Sequence, residues 1–93
     1  MNGIYILVTK NSYRVTYSED SGNFFLDWNE EVFNFELDGQ SIKKEFEKSP
    51  IFLDETTAYQ YALELADKYP ETDDGIYYIK NAKDKTYEEI ING

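Results

Sequence analysis

Asp54-Glu55-Thr56-Thr57-Ala58-Tyr59-Gln60-Tyr61-Ala62-Leu63-Glu64-Leu65-Ala66-Asp67-Lys68-Tyr69-Pro70 decides the reading of this chain. Ala58, Tyr61, Ala62, Leu65, Ala66 and Tyr69 recur at the spacing of one helical stripe, with Tyr59, Gln60, Glu64, Asp67 and Lys68 opposite. Asp54 precedes the periodic run as an N-cap, Glu55 suits the positive end of the helix dipole, and Pro70 stops the helix. Three alanines in the stripe predict close approach to a sheet. This helix needs strands to cover, and they lie on both sides of it in sequence.

Upstream, Ile4 to Thr9 is β-branched and aromatic with no polar alternation, which marks a strand buried on both faces and central in its sheet. Lys10-Asn11-Ser12 forms a turn, after which Tyr13, Val15 and Tyr17 alternate with Arg14 and Thr16, completing a hairpin. Glu19-Asp20-Ser21-Gly22-Asn23 is a turn, and Phe24-Phe25-Leu26 resumes strand character. Phe33, Phe35 and Leu37 alternate with Asn34 and Glu36, favouring another strand ending at Asp38-Gly39. Ile42 to Lys48 fits either a short helical turn or an irregular loop, closed by Ser49-Pro50. Ile51-Phe52-Leu53 is a short strand or a buried connector. Downstream, Asp73-Asp74-Gly75 turns the chain into the strand Ile76 to Lys80, and Tyr87 to Ile91 is a short helix or an edge strand. The expected architecture is α+β: a small antiparallel sheet of about four to five strands, with one main amphipathic helix on one face. Residues 1–93 fit a single domain.

Charge is the strongest functional signal. Nineteen acids oppose nine Lys and Arg, a formal net charge of -10 with no histidine. Residues 1–18 carry no carboxylate side chain, whereas 19–55 carry eleven acids against Lys43, Lys44 and Lys48. Such a field repels nucleic acid and anionic membrane, and attracts basic protein surfaces. Disorder does not follow from it, because nine Tyr, six Phe and Trp28 supply large apolar area.

Catalytic signals are scarce. The chain has no His and no Cys, which removes the commonest general base, the commonest nucleophile–base pairs, disulfides and Cys-based zinc sites. No glycine-rich phosphate loop is present, so neither enzymatic activity nor a cofactor is expected. Asp27, Asn29, Glu31 and Asp38 superficially follow a calcium loop. Val32 stands where that loop needs glycine and Asp38 where it needs glutamate, so chance spacing of acids is the better account and no metal is expected. The absence of cysteine is compatible with the cytoplasm, the apolar start is too short and lacks the basic lead of a signal peptide, and no apolar run approaches a membrane span.

The acids fall in short groups punctuated by aromatics. The candidate partner-binding residues are Glu19, Asp20, Asp27, Glu30, Glu31, Glu36 and Asp38, with Trp28 as an anchor ringed by charge. Tyr59, on the polar side of the helix, is a second aromatic that a buried core does not absorb. DNA carries one phosphate charge per roughly 1.7 Å of axis, so a fixed row of carboxylates can imitate a duplex edge and engage Lys and Arg in a partner's groove. The plain alternative is an acidic domain whose charges serve solubility.

The acidic-aromatic stretch from Glu19 to Asp38, the pair Asp73-Asp74 and the lack of catalytic residues resemble small proteins made by bacteriophages and other mobile elements against host defence. Anti-CRISPR and anti-restriction proteins, many of them DNA mimics, belong to that class. The resemblance is one of size, acidity and α+β pattern, without a shared motif, and Lys10 and Arg14 depart from a uniformly acidic mimic. It implies an inhibitor acting on a nucleic-acid-binding effector such as a CRISPR nuclease complex, in the host cytoplasm. The competing expectations are an acidic interaction module, of the kind that neutralises a basic toxin or joins an assembly, and a homodimer joined through a sheet edge.

Overall fold

Strand β1 (Gly3–Val8) is the structural centre of the chain. The computed structural model describes residues 3–18, 24–26, 33–35, 39–69, 76–80 and 83–92. Ile4, Tyr5, Ile6 and Leu7 of β1 are all fully buried, as expected of a strand without polar alternation. β1 forms a hairpin with β2 (Tyr13–Ser18), in the register Ile4↔Tyr17 to Val8↔Tyr13. The turn is held by the Thr9 N–H donating to the Ser12 carbonyl at 3.0 Å, with the two hydroxyls 2.7 Å apart.

Two short strands, β3 (Phe24–Leu26) and β4 (Phe33–Phe35), pair antiparallel as a separate ladder. Helix α1 (Gly39–Phe46) follows, then β5 (Ile51–Phe52), α2 (Glu55–Lys68), β6 (Ile76–Ile79) and α3 (Tyr87–Asn92). The four-stranded sheet has the order β5-β2-β1-β6.

The α+β class and the packing of one main helix on the sheet hold. Two features of the expectation change. First, the sheet is mixed: β1–β2 and β2–β5 are antiparallel, but β6 runs parallel to β1. The cause is α2. It leaves the β5 edge, crosses β2 and β1, and delivers the chain to the opposite edge, so β6 must run in the direction of β5. Second, helices cover both faces. The alternation of β1 sends Ile4 and Ile6 to α2, where they meet Val15, Ala58 and Ala62. It sends Tyr5 and Leu7 to the other side, where Ile42 and Phe46 of α1 and Tyr87 and Ile90 of α3 close a second core with Ile79. Ile42 and Phe46 are one turn apart, so even a two-turn helix buries a continuous strip.

The start of α2 follows local chemistry. The Asp54 carboxylate accepts from the N–H groups of Thr56 and Thr57 at 2.9 and 3.2 Å, and from the Thr57 hydroxyl. The bond from that hydroxyl leads in holding the carboxyl below its ordinary value. The Tyr69 N–H closes the other end on the Leu65 carbonyl at 2.8 Å.

Arg14 is unusual in being 8 % exposed. Its guanidinium lies 3.7 Å over the Tyr87 ring, and Nη1 donates to the Phe46 carbonyl at the end of α1 at 3.4 Å. A cation there complements the negative end of the helix dipole. The Tyr87 hydroxyl is buried with no hydrogen-bond partner among the described residues. Burial pushes its pKa above the ordinary 10.0, helped by Glu47 and Glu88 and opposed by Arg14. A raised value means that the native state holds the neutral phenol, so this contribution to stability is complete below pH 10.0 and is lost as the pH rises through the native value. Tyr87→Phe retains the ring under Arg14 and removes the unpartnered hydroxyl. Thermal melts are expected to show it unchanged or about 1 kcal/mol more stable at neutral pH, with less loss on the alkaline side. A clear destabilisation would assign the hydroxyl a partner.

Candidate functional site

The described residues carry all nine cations of the chain, namely Lys10, Arg14, Lys43, Lys44, Lys48, Lys68, Lys80, Lys83 and Lys85. They carry nine acids: Glu45, Glu47, Asp54, Glu55, Glu64, Asp67, Asp84, Glu88 and Glu89. These balance. The remaining ten acids lie in four stretches, 19–23, 27–32, 36–38 and 70–75, so the whole net charge of -10 belongs to them. Residues 15–42 hold seven of these ten acids and residues 69–79 the other three, with no Lys or Arg in either range.

All the residues chosen from sequence, Glu19, Asp20, Asp27, Trp28, Glu30, Glu31, Glu36 and Asp38, lie in those stretches, outside the described residues. The calcium-like set Asp27, Asn29, Glu31 and Asp38 lies there as well. What the structure supplies is the points at which the stretches attach. Ser18 pairs with Gly3 at the end of the hairpin, and stretch 19–23 leaves from it. Ile76, where stretch 70–75 arrives, pairs with Ile4 from the other side of β1, while Tyr17 pairs with the same Ile4. Two strands flanking a third are about 10 Å apart. Tyr69, the last described residue before stretch 70–75, stacks on Tyr17 with ring centroids 4.0 Å apart and planes 2° from parallel. Ser18 and Ile76, the described residues next to these two stretches, thus stand at the same end of the sheet. Stretch 27–32 joins the paired residues Leu26 and Phe33, while stretches 19–23 and 36–38 meet the other end of that ladder at the pair Phe24↔Phe35.

The same end of the sheet has a groove of about 230 Å³. β5 pairs with β2 only at Tyr13 and Arg14, which leaves Val15 to Tyr17 beside open space. Glu45, Lys48 and Pro50 form one wall, and Tyr61, Leu65, Lys68 and Tyr69 the other. Glu45 is the carboxylate in this lining, and the Ser49 hydroxyl donates to the Phe46 carbonyl at 2.7 Å. Among the described residues, no three metal-ligating side chains converge, and no helix is long and apolar enough to cross a membrane.

Two surface residues stand apart from the stripe that α2 buries. Tyr59 is 41 % exposed and Leu63 45 %, one turn apart. Sequence reading singled out Tyr59 but passed over Leu63. The signal was their spacing, which places both on the helix side that faces neither β1 nor β2.

Comparison with protein-family models, with curated proteins and with solved structures finds no match to this chain.

Proposed function

We propose that this chain is a non-enzymatic binding protein whose acidic surface occupies a basic nucleic-acid-binding site of a partner, in the manner of anti-CRISPR or anti-restriction proteins. One observation carries the reading: residues 15–42 hold seven acids and residues 69–79 three, with no Lys or Arg in either range, and these ten acids equal the net charge of -10. Acids added for solubility alone have no reason to be segregated from Lys and Arg along the chain in this way. Carboxylates grouped without interleaved cations present a directed field, which raises encounter rates with a cationic groove and offers Arg and Lys charge-assisted hydrogen bonds. The same field disfavours direct binding of DNA or RNA, and of anionic membrane. The setting that suits such a partner is the cytoplasm of the host cell.

The roles within this reading follow the sequence. Glu19, Asp20, Asp27, Glu30, Glu31, Glu36 and Asp38 supply charge, and Trp28 supplies an apolar anchor among them. Glu30→Lys/Glu31→Lys is expected to weaken binding to a CRISPR nuclease complex or other basic effector by tenfold or more, with an unchanged melting temperature. Full affinity in that variant would remove this patch from the interface.

A further inference from the structure

We infer that the outer flank of α2 is a second, rigid docking surface, built to seat an amphipathic basic segment of a protein partner. The inference rests on the proposed function only in expecting the partner to be basic. Glu55, Tyr59, Leu63 and Asp67 succeed one another at four-residue spacing, so they form a single ridge along the helix. The ridge has an aromatic and an aliphatic side chain at its middle and a carboxylate at each end. Tyr59 and Leu63 are the most exposed large apolar side chains of α2, at 41 % and 45 %. Beside them Tyr78 of β6 completes a shallow depression of about 480 Å³, floored by Tyr59, Leu63 and Tyr78 and edged by Glu55 and Gln60. Burial chiefly, and then the Glu55 charge, raises the Tyr78 phenol above its ordinary value, which agrees with a half-dry site facing that carboxylate.

Charge selects the occupant. The exposed residues of α2 and its cap include Asp54, Glu55, Glu64 and Asp67 against Lys68, and Lys80 lies 5.2 Å from the Tyr78 ring centre. An apolar centre with carboxylates at both ends of its ridge complements a segment that has aliphatic side chains in the middle and Lys or Arg on either side. An acidic segment would meet like charge at both ends. A second copy of this chain would bring its own net charge of -10. The surface lies on helix and strand, so its geometry is set before a partner arrives, which lowers the ordering cost of binding.

The test uses the full chain and two synthetic helical peptides of equal length, each with a leucine stripe. One is flanked by Arg and Lys, the other by Glu. Amide chemical shifts in NMR are followed during titration, with peptide-free dilution as a control. The expected result is that the basic peptide shifts the signals of Tyr59, Leu63 and Tyr78, and that Tyr59→Ser/Leu63→Ser weakens it at least tenfold while Glu30→Lys/Glu31→Lys leaves those shifts in place. Circular dichroism melts check that the double serine variant is folded, and the wild-type shift map stands without it. Shifts confined to residues 19–38 and 70–75, insensitive to the serine pair, would overturn this inference and leave the proposed function standing. Equal binding of the acidic peptide, no response to either peptide, or shifts at these residues on simple dilution would each overturn it too. The last would make a second copy the occupant.

Discussion

Phe46→Ala is expected to lower stability by about 3–5 kcal/mol, the usual range for deleting a fully buried aromatic side chain. Phe46 has no exposed surface and stands in the core formed by Tyr5, Leu7, Ile42, Ile79, Tyr87 and Ile90. Alanine removes the ring and leaves a cavity between α1, β1 and α3, two of which are too short to hold their shape alone. A chain of this size has a total stability on the order of 5–15 kcal/mol, so the variant should melt more than about 12 °C lower or fail to fold. The Phe46 carbonyl, which accepts from Arg14 and Ser49, is backbone and survives the change. Chemical denaturation measures the effect. A loss under about 1 kcal/mol would show that the second core is not closed by α1.

The second large effect concerns the opposite face. Ala62 is fully buried where α2 meets Ile4, Ile6 and Val15, and a side chain larger than methyl has nowhere to go. Ala62→Phe is expected to push the helix from the sheet at about 1–3 kcal/mol, or more if β6 is displaced as well. Glu64→Ala, two residues on and solvent-facing, should stay within about 0.5 kcal/mol of the parent. The contrast assigns the buried side of α2. Equal effects would mean that the helix is rotated.

The elements that sequence identified are those whose signal is local. Val15 in the alternating run of β2, the alanines of α2 and the Asp54 cap each act through neighbours a few positions away, and each stands where periodicity put it. The features that escaped are non-local. Nothing between Pro50 and Lys80 states that β6 pairs parallel with β1, because that depends on where α2 sets the chain down. α1 was ambiguous because Gly39-Gln40-Ser41 is a poor helix former, and its helicity comes from burying Ile42 and Phe46 against β1 and α3. The second helical layer stayed undecided for the same reason: Tyr87 to Ile91 reads as a short helix or an edge strand, since Tyr87 and Ile90 are only two anchors on a six-residue helix. Arg14 reads as a solvent-facing base in an alternating strand, and only the arrival of Tyr87 and the α1 terminus explains its burial. The acidic residues of the candidate site were legible as composition. All of them lie outside the described residues, and their grouping is a property of the sequence.

The clustering of uncompensated acids in residues 15–42 and 69–79 is the basis of the functional account, and it implies competition with nucleic acid. The most direct measurement immobilises the tagged chain, captures its partner from the host lysate, and repeats the capture with excess duplex DNA and guide-type RNA. The account predicts that a basic nucleic-acid-binding protein is retained and that one of these competitors displaces it. Retention of a partner that neither competitor displaces would contradict occupation of a nucleic-acid site, and would favour an acidic interaction module or inhibition from a distance.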